Sequence, residues 1–223
     1  MKIEHLKKYL VLGILFVFPI VVYLFFATGV NNFAKLPVLT KSIDTVDNWK
    51  SLNGENIKFN NQISVLCFWG DDIELRKSDG FNLNQKIYKR FYEFKDFQFV
   101  VVVSEGNQEL IEKYKIELSQ GVGTNLVNWK FIFGNEIQIK NLFNSLNSND
   151  NLSELSSTSK VYIIDKEGNL RGRDDDEDNL NGRMFGYNSS SVAEINNKMV
   201  DDVKVILAEY RLALKKNNSF RIK

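Results

Sequence analysis

The sequence predicts an α/β domain with a central mixed sheet flanked by helices, preceded by one N-terminal transmembrane helix. Three observations predict it: an uncharged run near the N-terminus, apolar runs alternating with helically spaced stripes in the middle of the chain, and a closing hairpin followed by a long amphipathic helix. A chain of 223 residues with 43% apolar content supports one globular domain plus an extra segment. Lysine plus arginine (29) nearly equals aspartate plus glutamate (28), so there is no large one-sign field to draw in nucleic acid.

The uncharged run extends from Tyr9 to Thr28, YLVLGILFVFPIVVYLFFAT, long enough as a helix to cross a bilayer core of roughly 30 Å. It is apolar all round, unlike a surface helix, and longer than the core of a cleaved signal peptide, so it reads as a retained anchor in the lipid bilayer. Lys2, Lys7 and Lys8 precede it and the next basic residue is Lys35. The positive-inside bias therefore predicts a cytoplasmic N-terminus, residues 1–8, and an extracytoplasmic globular domain, periplasmic in a Gram-negative cell. Residues 29–54 contain Pro37 and hold no sustained period, which predicts a stalk, with the domain proper spanning 55–223.

Within the domain, IKF near Ile57 predicts a short strand and ISVLCF, Ile63 to Phe68, a buried one. Leu83, Ile87, Phe91 and Phe94 recur at helical spacing in a predicted helix over 82–94. FQFVVVVS, Phe97 to Ser104, is apolar almost throughout, as a strand covered on both faces of a parallel sheet should be. A helix over 108–118 is expected to turn Leu110, Ile111, Tyr114 and Leu118 inward; WKFIFG at 129–134 predicts a strand, and 136–146 a short helix. The segment KVYIIDKEGNLRGR predicts two strands joined by a turn at Asp165 to Gly168. Ser191 and Glu194 form a capping-box signature ahead of Val192, Ile195, Met199, Val203, Ile206, Tyr210 and Leu214, a helix expected over 192–216. This is the thioredoxin order, β-α-β-α then β-β-α, with an additional helix before the hairpin.

In that fold the chemistry sits where the first strand feeds the first helix, and here the turn holds Asp71, Asp72 and Glu74 instead of cysteines. The single cysteine, Cys67, lies earlier, inside the strand, where a thiol behaves as a small hydrophobe with a raised pKa. One cysteine excludes an intrachain disulfide and a Cys-x-x-Cys pair, and the one histidine is His5, before the apolar run. Carboxylates at a helix start are favourable through the dipole alone; as ligands they suit hard cations. The acidic run Asp174 to Asp178 fails the EF-hand pattern, since Asn179 stands at its sixth position and Phe185 at its twelfth; it reads as a solvated loop balanced in part by Arg171, Arg173 and Arg183. Gly121 and Gly123 are too few for a dinucleotide fingerprint. The only prolines are Pro19 and Pro37, so no cis-proline faces the turn.

Together, the N-terminal span, ISVLCFWG, NLNQKIYKRFYEFKDFQFVVVVSEG, WKFIFGNEIQIKNLF and SKVYIIDKEGNLRG resemble the membrane-anchored Sco/SenC group of thioredoxin-like copper chaperones over roughly residues 55 to 210. The resemblance implies a Cys-x-x-x-Cys copper site in the turn, a histidine just before the hairpin, and a role in maturing cytochrome oxidase. At the matching positions, residues 70–77 hold no cysteine and Ser156, Ser157, Thr158 and Ser159 no histidine. All three ligands are missing, and soft thiolates are what select copper(I). The expectation is a non-catalytic Sco/SenC-like protein with no cofactor and no metal, acting as a binding or assembly factor on another envelope protein through Asp71, Asp72, Glu74, Thr158 and Ser159, with Phe68 and Trp69 supporting the turn. The alternative is a metal carrier or redox enzyme using the acidic turn or Cys67.

Overall fold

The computed structural model describes residues 2–28, 35–179 and 181–221, with side chains described at 7 and 9–25 in the first helix and as far as 211 in the last. The chain divides into two compact units, Met1–Ala34 and Lys35–Lys223. The first is the helix α1 (Lys2–Thr28), along which Leu10, Ile14, Phe16, Ile20 and Phe25 are all exposed. Among the described residues no helix is long and apolar enough to cross a membrane, the described side chains of α1 running without a break only from Tyr9 to Phe25.

The second unit is built on one mixed sheet. Its strands are β1 (Val38–Thr40), β2 (Lys50–Ser51), β3 (Ile63–Gly70), β4 (Phe97–Ser104), β5 (Trp129–Gly134), β6 (Lys160–Ile164), β7 (Leu170–Arg171) and β8 (Tyr187–Asn188), in the order β1-β7-β6-β3-β4-β5-β2, with β8 also paired to β6. β3, β4 and β5 run parallel, while β6 is antiparallel to β3 and β7 to β6. The quartet β4-β3-β6-β7 is the thioredoxin-like core, and β5 extends it. The segment read as a stalk instead supplies both edges of the sheet: β1 pairs with β7 and β2 with β5, and Leu36, Ile43 and Val46 are buried. Strands of three and two residues are too short to show a period, which is why the sequence does not reveal them.

Alternation along the strands sends side chains to two apolar layers. Val65, Cys67, Trp69, Val101, Trp129 and Phe131 face one layer; Leu66, Phe68, Val100, Val102, Ile132 and Tyr162 face the other. The first layer is covered by helices on that side. α2 (Ile73–Leu83) runs through a π-helical turn (Asn84–Tyr88) into α3 (Lys89–Phe91), beside α4 (Gln108–Val122). The second layer is covered by α5 (Glu136–Ser145) and by Ile57 and Phe59. Ile57 and Phe59 are buried without joining a ladder, so the expected strand at IKF is an extended crossing over the sheet face. The last helix comprises α6 (Val192–Glu194), a π-helical turn (Ile195–Met199) and α7 (Val200–Arg221), and it returns to the first layer through Met199, Val203 and Ile206.

Three helix details differ from expectation. The helix after β3 begins nine residues early, at Ile73 rather than Asn82. Its first turns carry no apolar stripe, because after Ile73 the buried positions there are Asp79 and Gly80; a Cβ at Gly80 would overlap the Tyr114 hydroxyl. Leu110 is 43% exposed, leaving Ile111, Tyr114 and Leu118 as the inward face of α4, while Phe94 lies 38% exposed beyond α3. Ser191 caps α6 by accepting from the Glu194 N–H at 3.2 Å, but the Glu194 carboxylate accepts from the Asn188 N–H instead of closing the box; Val192 is 40% exposed, and the side chain of Leu214 lies outside the described residues. The complete capping box is at α5, where Asn135 and Gln138 exchange side-chain and backbone bonds. Asn135→Ala should cost about 1 kcal/mol in urea unfolding with the slope unchanged.

Candidate functional site

β3 ends at Gly70, where the chain turns with a φ of +52°. This puts the turn against the segment that leads into β6: the Asp71 N–H donates to the Leu155 carbonyl at 2.9 Å and the Thr158 N–H to the Phe68 carbonyl at 3.0 Å. The approach is backbone against backbone, and only a residue without a Cβ fits. Phe68 and Trp69 brace the turn from opposite faces of the sheet, Phe68 edge-on to Phe143 and Tyr162, Trp69 edge-on to Tyr114 and Phe131.

Asp71 is exposed, and one of its carboxylate oxygens accepts from Asn107 Nδ2 at 2.9 Å. Asp72 stands at the N-cap position of α2 but caps no N–H; its carboxylate accepts from the Ser157 hydroxyl at 3.1 Å. Ser157 in turn shares a hydrogen bond with Ser153 Oγ at 2.9 Å and is buried. Glu74 points away to an ion pair with Lys77 at 2.9 Å, and Lys77 also lies 3.6 Å from Glu117. Thr158 and Ser159 lie beside the turn, but beyond the Thr158 N–H bond to Phe68 the hydrogen bonds they make lead elsewhere: Thr158 Oγ1 accepts from the Lys160 N–H, and the Ser159 carbonyl accepts both the N–H and hydroxyl of Ser189. The structure therefore brings together Asp71, Asp72 and the 153–158 segment. Asn107 and Ser157 are members that sequence reasoning did not single out. Asn107 had a legible signal, since it immediately precedes a helix after a strand; Ser157 had none.

Beneath the turn, Asp79 is buried and accepts from Arg76 Nη1 and from the Ser190 hydroxyl, each at 2.7 Å. Cys67 lies in β3 with no exposed surface. Burial pushes its thiol well above the usual range, and the Asp79 carboxylate adds to that rise. The thiolate is the form that acts as nucleophile and metal ligand, and burial disfavours it here. Among the described residues no group of three or more histidine, cysteine, aspartate or glutamate side chains is gathered to hold a metal ion.

The acidic run is knitted into the fold more than expected. Lys198 Nζ bridges Asp176 and Asp178 at 2.6 Å each, and Arg173 pairs with Asp202 at 2.6 Å while standing 4.0 Å from Asp176. Arg171 does not balance this loop; it is buried against Asp165 and Glu209. Burial pushes the Asp176 carboxyl up, but hydrogen bonds from Lys198 and Asn179 outweigh it and hold the group below its usual range. Such a group contributes stability that is full above the unfolded value near 4 and is lost as pH falls through the lower folded value. Acid unfolding of the Lys198→Met protein should accordingly show a shallower stability loss below about pH 4 than the parent.

No family model and no curated protein matches the chain. Solved structures do resemble it. A SCO1/SenC family lipoprotein from Bacillus anthracis is 18% identical, with a TM-score of 0.49, over 81% of this chain and 99% of that one. BsSco, described as a member of the Sco family of cytochrome c oxidase assembly proteins, is 12% identical with a TM-score of 0.47, over 76% of this chain and 94% of that one. A yeast mitochondrial 1-Cys peroxiredoxin is 15% identical with a TM-score of 0.44; the match takes in 61% of this chain and 65%, just under two thirds, of the peroxiredoxin. At such identities the likeness is one of fold.

Proposed function

We propose that the chain is a membrane-anchored, non-catalytic Sco/SenC-like protein that binds another envelope protein, as an assembly factor, through the turn at Asp71 and Asp72 and the adjoining 153–159 segment. The observation that carries this reading is the burial of Cys67. The one thiol is sealed in β3, and the turn where related folds do their chemistry offers carboxylates and hydroxyls already committed to hydrogen bonds. Such a surface is ordered and polar, suited to recognition more than to bond making. The anchor is supported by the helical backbone of α1 and by the uncharged run from Tyr9 to Thr28, which at 1.5 Å per residue matches a bilayer core of roughly 30 Å. The lysines preceding that run place the N-terminus in the cytoplasm and the domain outside it.

The test is site-specific photocrosslinking in native membranes. A photoreactive residue at Asp71 or Glu154 should give one discrete heterologous adduct, and the same group at Glu93, on the opposite end of the sheet, should give none. Adducts of equal intensity from both ends, or from neither, would refute a dedicated recognition surface at the turn.

A further inference from the structure

A cleft separate from the turn lies near it in the domain. It measures about 660 Å³ and is formed where residues 47–56 cross β5 and the start of α4. It is joined to the turn through Asn107, which donates to Asp71 and is followed in the chain by the lining residue Gln108; the Glu105 carboxylate reaches Lys50 Nζ at 3.5 Å. The cleft thus sits at the β2–β5 edge of the sheet, with Phe133 near the carboxyl end of β5 in its wall.

The charges in it do not cancel. Lys50 is held by Glu105, and Glu55 by Lys130 at 2.5 Å with Lys115 nearby, whereas Asp47 and Glu112 have no ion pair among the described residues. Trp49, half-buried, lies over Gly134, where any Cβ would overlap its ring, so the indole is a fixed wall of the cleft. The inner end, at Ser51, Leu52 and Glu55, adjoins a small cavity of about 10 Å³ lined by Trp129. Trp129 is 2% exposed and its Nε1–H is one of two buried side-chain donors without an acceptor among the described residues. That volume is about the least that one water needs, and a water there would let a buried donor reach an acceptor lying in the cleft.

The geometry points to a docking site for a basic segment of the partner protein, its lysine or arginine against Trp49, Asp47 and Glu112 and a main-chain carbonyl bonded through water to Trp129. An aromatic face and two unpaired carboxylates favour a cation, and an orphan N–H demands an oxygen; a peptide carrying a basic side chain supplies both. This site deepens the recognition role proposed above and rests on it.

The full chain can be titrated with acetyl-Gly-Arg-Gly-Lys-Gly-amide while its tryptophan indole N–H resonances are followed by NMR. Of the three tryptophans, Trp49 and Trp129 should shift and Trp69, under the turn, should not. The analogue with glutamate in place of both basic residues should leave all three unmoved. Combining Asp47→Asn with Glu112→Gln, at positions outside the core, should weaken binding about fivefold without altering the unfolding midpoint. Unmoved Trp49 and Trp129 signals, an equal response to the acidic analogue, or unchanged affinity in the double variant would each overturn the assignment. If the Asp71 crosslink survives in a chain that fails these tests, the turn remains a recognition surface and only the cleft is dismissed. If the peptide binds as expected and the crosslink is absent, the cleft stands and the turn falls.

Discussion

Gly70→Ala should be among the most damaging single-atom-group additions the domain can receive, costing about 4 kcal/mol. Two penalties combine. The left-handed backbone at φ +52° is unfavourable for alanine by about 1 kcal/mol. The new methyl would also overlap the Leu155 carbonyl oxygen and come within 2.6 Å of the Ser156 carbonyl oxygen, neither of which is a flexible side-chain end. Relief requires moving the 153–157 segment off the turn, which breaks the Asp71 N–H bond to Leu155. Gly123→Ala is the matched control, since Gly123 has a φ of +68° at the end of α4 but open space where the methyl would go. That variant should lose only about 1 kcal/mol in urea unfolding. The difference between the two reports the close approach that shapes the turn.

Arg171→Met should cost about 3 kcal/mol and loosen the entry of the chain into the domain. The buried guanidinium donates to Asp165 at 3.1 Å, to Glu209 at 2.6 Å and, through Nε, to the Leu36 carbonyl at 2.7 Å. Asp165 is buried and, though it also accepts from the Glu167 and Asn169 N–H groups, would lose its only cationic partner among the described residues. Glu209 is nearer solvent and can rehydrate, so the cost falls on Asp165 and on the Leu36 carbonyl. Amide exchange should quicken in β1 and at Gly172, whose N–H donates to the Pro37 carbonyl, before it quickens in β3 and β4. Uniform loss across the sheet would instead mean that Arg171 serves global stability alone.

The central strands were legible because their apolar runs are bounded by polar residues: β4 and β5 fall where FQFVVVVS and WKFIFG predict them. The start of α2 was not legible, because IELRKSDG buries a single apolar side chain, Ile73, and beyond it an aspartate and a glycine, and no hydrophobic period marks positions whose burial depends on Arg76, Ser190 and Tyr114. The edge strands β1 and β2 escaped for a different reason, being shorter than any period. At the candidate site, the strand-to-helix junction locates Asp71 and Asp72, but their partners Asn107 and Ser157 lie 36 and 85 residues away and are chosen by the sheet. The Arg171 network is invisible for the same cause, joining positions separated by 6, 38 and 135 residues. The cleft at Trp49 lies in a segment that local pattern assigns to no element at all.

The turn holds no cysteine, which leaves Cys67 as the only thiol through which a redox or copper role could run. The most direct measurement is the labelling of Cys67 by a small maleimide in the native full-length protein and across a urea titration. Complete protection in the folded state, with reactivity rising only along the global unfolding curve, is the result expected of a thiol held protonated within β3. Stoichiometric labelling of the folded protein at neutral pH, on the timescale of a free thiol, would contradict a domain that recognises but does not react.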